Sequence, residues 1–352
     1  MRALTRWTLA FATLLPACDP GDGETNVPGA TQPLACRSRV DAEELLPSDA
    51  VAIGYYDMDR ERRFAPDISK SAATGARALL PSVEIEAARL AWVGLAAACE
   101  LDDGFLGEAW VAVDREEEVL TVLEGKGIGD PDKLRCIQRR LSKWEEDLGA
   151  VDVLTNDGCG VQFQYDGTYG FAPNDDLFVL GTLGAVDRAR KVWNSGSGNP
   201  PRELMPDRRK SYVWAAVDVP ALIAPDTLES ALRSSGQPEA TAFINVRTVN
   251  VDAQLTRRRY QVGVGASFGA EEDANAAQAV LQAFLDAPPP SLPAWSKTVI
   301  SRMSVTRDGL SVSLSLPLSR RDAHELALLP TKTEANQAPA LPVLLFAVAF
   351  SH

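Results

Sequence analysis

Tight-turn signals set between short apolar runs restrict this chain more than any other feature. Asn156-Asp157-Gly158, Asp166-Gly167 and Arg307-Asp308-Gly309 each lie between stretches rich in β-forming residues. Asp-Gly and Asn-containing turns accept the positive φ angles that tight hairpins demand. A hairpin joins neighbouring strands antiparallel, so a chain punctuated in this way builds mostly antiparallel sheet. In the first half, strand-like runs cover 50–56, 89–97, 108–114, 119–124, 151–154, 160–165 and 177–181. Helices interrupt them. One runs near 68–80 and stops at Pro81; a short one covers 185–193. The sharpest helical signal starts at Asp130, an N-cap residue, followed by Pro131 and Asp132. Leu134, Ile137, Leu141, Trp144 and Leu148 then recur three and four residues apart, and Gly149 suits the exit.

The second half repeats this order. A strand at 212–217 ends in Asp218, as the first strand ends in Asp57. A helix follows at 227–233, then long strands at 241–255 and 259–268. The helix at 271–285 opens on acidic residues and places Ala277, Val280, Leu281, Phe284 and Leu285 on one face. Strands at 298–306 and 310–316 and a short helix at 321–329 complete the set. The expected fold class is therefore α+β: two related halves of mostly antiparallel sheet with helices packed on one face. The Gly/Ser/Pro-rich stretch 196–207 separates a first repeat, 35–195, from a second, 208–330. Residues 18–34 are rich in Gly, Pro and acidic side chains, the composition of a flexible tether. The tail, 331–352, ends in an apolar segment, 340–350, which is too short to span a bilayer and suits a final strand added to the sheet or a segment docked in an apolar groove.

Four cysteines follow residue 30: Cys36, Cys99, Cys136 and Cys159. An even number in an exported chain reads as two disulfides, and four cysteines allow three connectivities. The order of elements favours Cys36–Cys99, tying the incoming segment to the end of a strand. It pairs Cys136 with Cys159, tying a helix to the hairpin after it. No paired C-x-x-C spacing suggests a metal site.

A search for catalytic groups yields little. The two histidines are His324, in a helix-like charged segment, and His352 at the end. No Gly-x-Ser-x-Gly elbow occurs. Gly125-Lys126-Gly127-Ile128-Gly129 departs from both nucleotide-binding glycine patterns and reads as a connection, with anion binding as the alternative. Acidic groups cluster at Asp57 and Asp59, Asp102 and Asp103, Glu116 to Glu118, and Asp175 and Asp176. They read as solvated turns. Tyr55, Tyr56, Tyr165, Tyr169, Phe171 and Trp295 are candidates for a recognition surface. The net charge of −13 disfavours nucleic acid as a partner. The basic clusters Arg208-Arg209-Lys210 and Arg257-Arg258-Arg259 are short. No cofactor is expected.

The start of the chain supplies an address. Arg2 and Arg6 precede an apolar core of about nine residues, shorter than the roughly twenty of a membrane-spanning helix. A basic start, a short apolar core and a small residue before a cleavage point make a secretory signal peptide, here residues 1–17. Its end, Leu15-Pro16-Ala17-Cys18, resembles the lipobox of bacterial lipoproteins. That resemblance implies that Cys18 is lipidated, becomes the first residue of the mature protein and anchors it to a membrane of the cell envelope. Beyond residue 19 the chain carries no motif of a characterised family. The expected function is a membrane-anchored exported lipoprotein with a non-enzymatic binding or scaffolding ectodomain, facing the periplasm or cell surface. Its partners are then the membrane through Cys18 and a protein or small ligand. The alternatives are an exported hydrolase using a carboxylate pair about 5–10 Å apart, or a small-ligand or lipid carrier.

Overall fold

A computed structural model describes residues 41–64, 98–101, 105–144, 152–154, 161–165, 168–205, 211–234, 238–255, 260–288 and 294–319, with Arg321. The strands are β1 (Ala50–Asp57), β2 (Glu108–Asp114), β3 (Val119–Glu124), β4 (Asp152–Leu154), β5 (Val161–Tyr165) and β6 (Thr168–Asn174). They continue with β7 (Leu177–Gly181), β8 (Ser211–Asp218), β9 (Val246–Leu255), β10 (Tyr260–Phe268), β11 (Ser304–Asp308) and β12 (Ser311–Leu318). The helices are α1 (Met58–Phe64), α2 (Pro131–Trp144), α3 (Leu183–Ser195), α4 (Val219–Leu222), α5 (Pro225–Ser234), α6 (Glu271–Asp286) and α7 (Ala294–Ile300). The described residues divide into two compact units. The first takes in 41–48, 98–112 and 117–200, the second 49–64, 113–116 and 201–321.

In the first unit the strand order is β2-β3-β7-β6-β5-β4. The chain leaves β3 through α2, re-enters at the far edge with β4, and works inward until β7 lies antiparallel to β3. Tyr165 of β5 pairs with Thr168 of β6. α3 presents Ala185, Val186, Ala189 and Trp193, all buried and spaced as one helical face. Gly196, at φ +68°, ends it, its N–H donating to the carbonyls of Val192 and Trp193. Trp110, Trp193, Phe171, Leu45, Leu120, Val122 and Val179 are the unit's largest fully buried side chains. A separate cluster of Leu101, Phe105 and Ile128 receives Ile137 from α2.

In the second unit the order is β11-β12-β10-β9-β8-β1. The wiring has the same logic as in the first unit. The chain leaves β10 through α6 and α7, re-enters at the edge with β11 and turns back so that β12 pairs with β10. Asp308 pairs with Ser311, leaving Gly309, at φ +55°, and Leu310 as the turn. Ala274 and Ala277 of α6 are fully buried, and their small side chains let the helix close on Phe243, Val246, Phe268 and Val312. Leu255, Tyr260, Leu316 and Leu318 form a second apolar cluster, against which Phe64 of α1 packs. The fold is α+β, and each unit carries the same crossover, with four strands after it in the first and two in the second.

β1 pairs antiparallel with β8 in a self-complementary register. Asp57 ends one strand and Asp218 the other, and the residues three positions before them, Gly54 and Ala215, face each other. Tyr55 opposite Trp214 and Ile53 opposite Ala216 are images of one another about that centre. The compact units therefore interleave where the repeats do not. The expected first repeat, 35–195, contains β1, yet β1 belongs with the second unit because its ladder is made with β8.

Four expectations need correction. The stretch 241–255 is not one strand: Pro238–Phe243 forms a 3-10 helix that buries Ala240 and Phe243, and β9 starts only at Val246. The stretch 298–306 is divided between α7 and β11. Thr298, Val299 and Ile300 favour strand by propensity, but packing overrides it: Ile300 is buried and Val299 joins the apolar cluster around Tyr260. β6 fills the span between the Asp166-Gly167 turn and β7, where no strand was expected. Finally, Cys99 bonds to Cys136, with the Cα atoms 5.6 Å apart, so neither Cys36–Cys99 nor Cys136–Cys159 is the pairing. The cause is tertiary. α2 lays Ile137 against the cluster containing Leu101, which brings its neighbour Cys136 to Cys99. Cys36 and Cys159 lie outside the described residues, as do the expected elements at 68–80, 89–97 and most of 321–329.

The Cys99–Cys136 bridge closes a loop with a sequence separation of 37. Loop-closure entropy for that length is worth about 3–4 kcal/mol. Replacing both cysteines with Ala should lower unfolding free energy by that amount in urea titrations, and a change below about 1 kcal/mol would contradict a formed bridge.

Candidate functional site

The glycine loop after β3 is fully used by the fold. Gly125 N–H donates to Asp176 O at 2.9 Å, Gly127 N–H to Asp176 Oδ1 at 3.0 Å, and Gly129 N–H to Asp175 O at 2.9 Å. Its three glycine amides, which an anion would need, are satisfied by Asp175 and Asp176 of the β6–β7 turn. Ile128 between them is buried. The glycines serve close approach: a Cβ on Gly129 would lie 1.9 Å from Asn174 O, and one on Gly125 1.9 Å from Phe105 O. Asp175 and Asp176, singled out as an acidic pair, are the backbone and side-chain partners of this loop.

The other acidic groups also serve local structure. Asp57 Oδ1 accepts from Arg60 N–H at 2.7 Å and caps α1, while Asp59 pairs with Arg62. Asp130 Oδ1 accepts from Asp132 N–H at 2.8 Å, the cap its sequence position suggested. Glu116 N–H donates to Asp114 Oδ1 at 2.9 Å, Glu117 takes φ +62° in the same turn, and Glu118 bonds to Arg188 at 2.5 Å. Among the described residues no group of three or more His, Cys, Asp or Glu is placed to hold a metal ion. Asp102, Asp103, His324, His352, Cys18 and both basic clusters lie outside the described residues.

Of the aromatic candidates, Phe171 is fully buried and Tyr55 nearly so; Tyr55 stacks at 6.0 Å from Trp214 as core. Tyr169 is half-buried in β6. Tyr165 lies in β5 and Trp295 in α7, but their side chains are outside the described part. Tyr56 is different. It leads to the one place in the second unit, among the described residues, where a buried carboxyl and several phenols converge.

β1 runs straight into α1, and Asp57 caps the helix, which fixes its first turn. That geometry turns Glu61 inward, where it is 9% exposed. The Tyr56 hydroxyl donates to Glu61 Oε2. Tyr212, from β8, sets its ring 6.5 Å from that of Tyr56. Tyr260, from β10, is buried, and its hydroxyl donates to Phe64 O at 3.4 Å. Beside them Ser211, also buried, donates through its hydroxyl to Asp252 Oδ2 at 3.0 Å, which also accepts from Gln254 Nε2. Burial pushes the Glu61 carboxyl above its ordinary range, and the neighbouring Arg62 partly offsets this. Burial, and then the charges of Glu61 and Tyr260, push the Tyr212 phenol up to about 12. The cluster thus favours protons on its acid groups.

Sequence reasoning missed Glu61, Tyr212 and Tyr260. Glu61 sits in Met58-Asp59-Arg60-Glu61-Arg62-Arg63-Phe64, a string whose composition reads as a solvated helix. The available signal was the pair of apolar ends, Met58 and Phe64, which require one helix face to be inward.

No family model matches the chain, and no curated protein does. Solved structures similar to it are titled "Structure of crystal form III of TP0453" and "Structure of crystal form IV of TP0453". The former is 10% identical with a TM-score of 0.45, covering 84% of this chain and 100% of that one. The latter is 10% identical with a TM-score of 0.47, covering 83% and 97%. Likeness at that level carries no functional assignment.

If the glycine loop is structural, Gly129→Ala should destabilise by about 1–3 kcal/mol, the usual cost of overpacking. Gly309→Asn, at an open turn position where Asn tolerates positive φ, should cost less than about 1 kcal/mol. Equal costs in denaturant titrations would contradict this account of the loop.

Proposed function

We propose that the protein is an exported lipoprotein of a bacterial cell envelope whose folded part binds or scaffolds and does not catalyse a reaction. The reading rests on the run Leu15-Pro16-Ala17-Cys18 after a basic start and a short apolar core. Acyl chains on Cys18 supply the anchor, each contributing about 0.8 kcal/mol per buried CH₂, and two or more hold a protein firmly. Among the described residues no helix is long and apolar enough to cross a membrane. The tether, 18–34, gives the folded units reach from the surface.

Two structural facts support the reading. The Cys99–Cys136 bridge suits an oxidising compartment outside the cytoplasm. The glycine amides and the carboxylates that suggested ligand chemistry, at Gly125, Gly127 and Gly129 and at Asp57, Asp59 and Asp176, are bound within the fold.

Cys18→Ala should move the protein from the membrane fraction to the soluble fraction of the cell envelope, and continued membrane retention would contradict lipid anchoring. Non-reducing peptide mapping of the exported protein should show Cys99 joined to Cys136; free thiols at those positions would contradict the bridge.

A further inference from the structure

We propose that Glu61 is a proton-operated latch that holds α1 against the sheet of the second unit. α1 has seven residues, far below the length at which a helix is stable alone, so its position depends on what it touches. Its outer side carries the Asp59–Arg62 pair and Arg63, all exposed. Its inner side is fastened at three points. Glu61 is bound by the Tyr56 hydroxyl, Arg60 Nη1 donates to Ser211 O at 3.4 Å, and Phe64 O accepts from Tyr260. Two of these are long neutral-acceptor bonds; the buried carboxyl lies between them in the helix.

The groups around that carboxyl decide how it responds to pH. β1 contributes Tyr56, β8 contributes Tyr212, and β10 contributes Tyr260, which faces Tyr212. β9 contributes Asp252, turned to the Ser211 hydroxyl. α1 itself contributes Arg60, directed to the Ser211 carbonyl, and Arg62, which acts on Glu61 as a nearby positive charge. Phenols are ordinarily neutral at physiological pH, and Arg62 is the positive charge that partly offsets the burial of Glu61. A neutral Glu61 is accommodated there, whereas an ionised one is a desolvated charge that regains water when α1 lifts.

The sign follows from linkage. The carboxyl binds its proton more tightly with α1 closed than in water, where its ordinary value is 4.5. The latch is therefore strongest below that value and weakens as pH rises to the elevated titration point of the closed state. Over that window the open population of α1 grows by up to about tenfold per pH unit, then levels off. Glu61→Gln keeps the shape and a hydrogen-bond acceptor for Tyr56 but removes the charge, and so removes the window.

Hydrogen-exchange mass spectrometry on the full chain, from pH 4 to pH 8, tests this with peptides covering α1. The ratio of α1 exchange in wild type to that in E61Q cancels the intrinsic pH dependence. It should be near one at pH 4, rise by as much as about tenfold per unit, and then plateau. A ratio constant across the range would overturn the latch. Should E61Q not fold, the wild-type chain decides alone: α1 amides must lose protection relative to β10 amides as pH rises, and parallel behaviour of the two would overturn it.

Discussion

The pairing of β1 with β8 is the constraint on which the second unit is arranged. Gly54 opposite Ala215 is its centre, and small residues at both positions let the two backbones meet without competing side chains. On either side the large groups alternate, Tyr55 facing Trp214 and Ile53 facing Ala216, so bulk on one strand meets bulk or space on the other. Because side chains alternate with period two, a slip of one residue would send Trp214, now 1% exposed, to the opposite face. The register is thus held by burial on both strands. Without β1, β8 would expose its ladder groups as a sheet edge.

The same pairing positions the polar cluster. β1 ends at Asp57, whose side chain caps α1, and the cap fixes which face of a one-to-two-turn helix points inward. Tyr56, the penultimate residue of β1, is paired with Val213, and Tyr212 lies one residue further along β8. Its partner strand β8 ends in Asp218, which caps α4 through Ala221 N–H at 3.3 Å. Both strands use one device, a strand-terminal aspartate opening a helix. The helices then diverge: α1 carries a buried glutamate, while α4 is four residues long and leaves Leu222 half exposed.

Much of this was legible from residues. The limits of β2 and β3 follow from alternation between breakers, and the start of α2 from the capping chemistry of Asp130. The shared wiring of the two units was visible as element order because Asp57 and Asp218 end the paired strands β1 and β8. What stayed hidden depended on tertiary placement. The α7 segment looks like a strand because Thr298, Val299 and Ile300 are β-branched, and the packing of Val299 and Ile300 overrides that preference. The partner of Cys99 was set by where α2 packs, not by the order of elements. The glycine loop looked open to an anion because its hydrogen-bond partners, at Asp175 and Asp176, lie far along the chain. Glu61 was hidden because five of the seven residues in its helix are charged.

A disulfide serves the first unit and a self-complementary strand pair the second, while α1 of the second unit carries a buried carboxyl whose proton affinity burial raises. The central claim is the register of β1 on β8. Methyl-labelled NMR on the full chain tests it directly. Directly opposed residues on one face of an antiparallel pair have Cβ atoms about 4.5–5.5 Å apart, so Ile53 and Ala216 should show a strong methyl–methyl NOE. An Ile53 methyl that instead contacts Ala215, with no cross-peak to Ala216, would contradict the pairing.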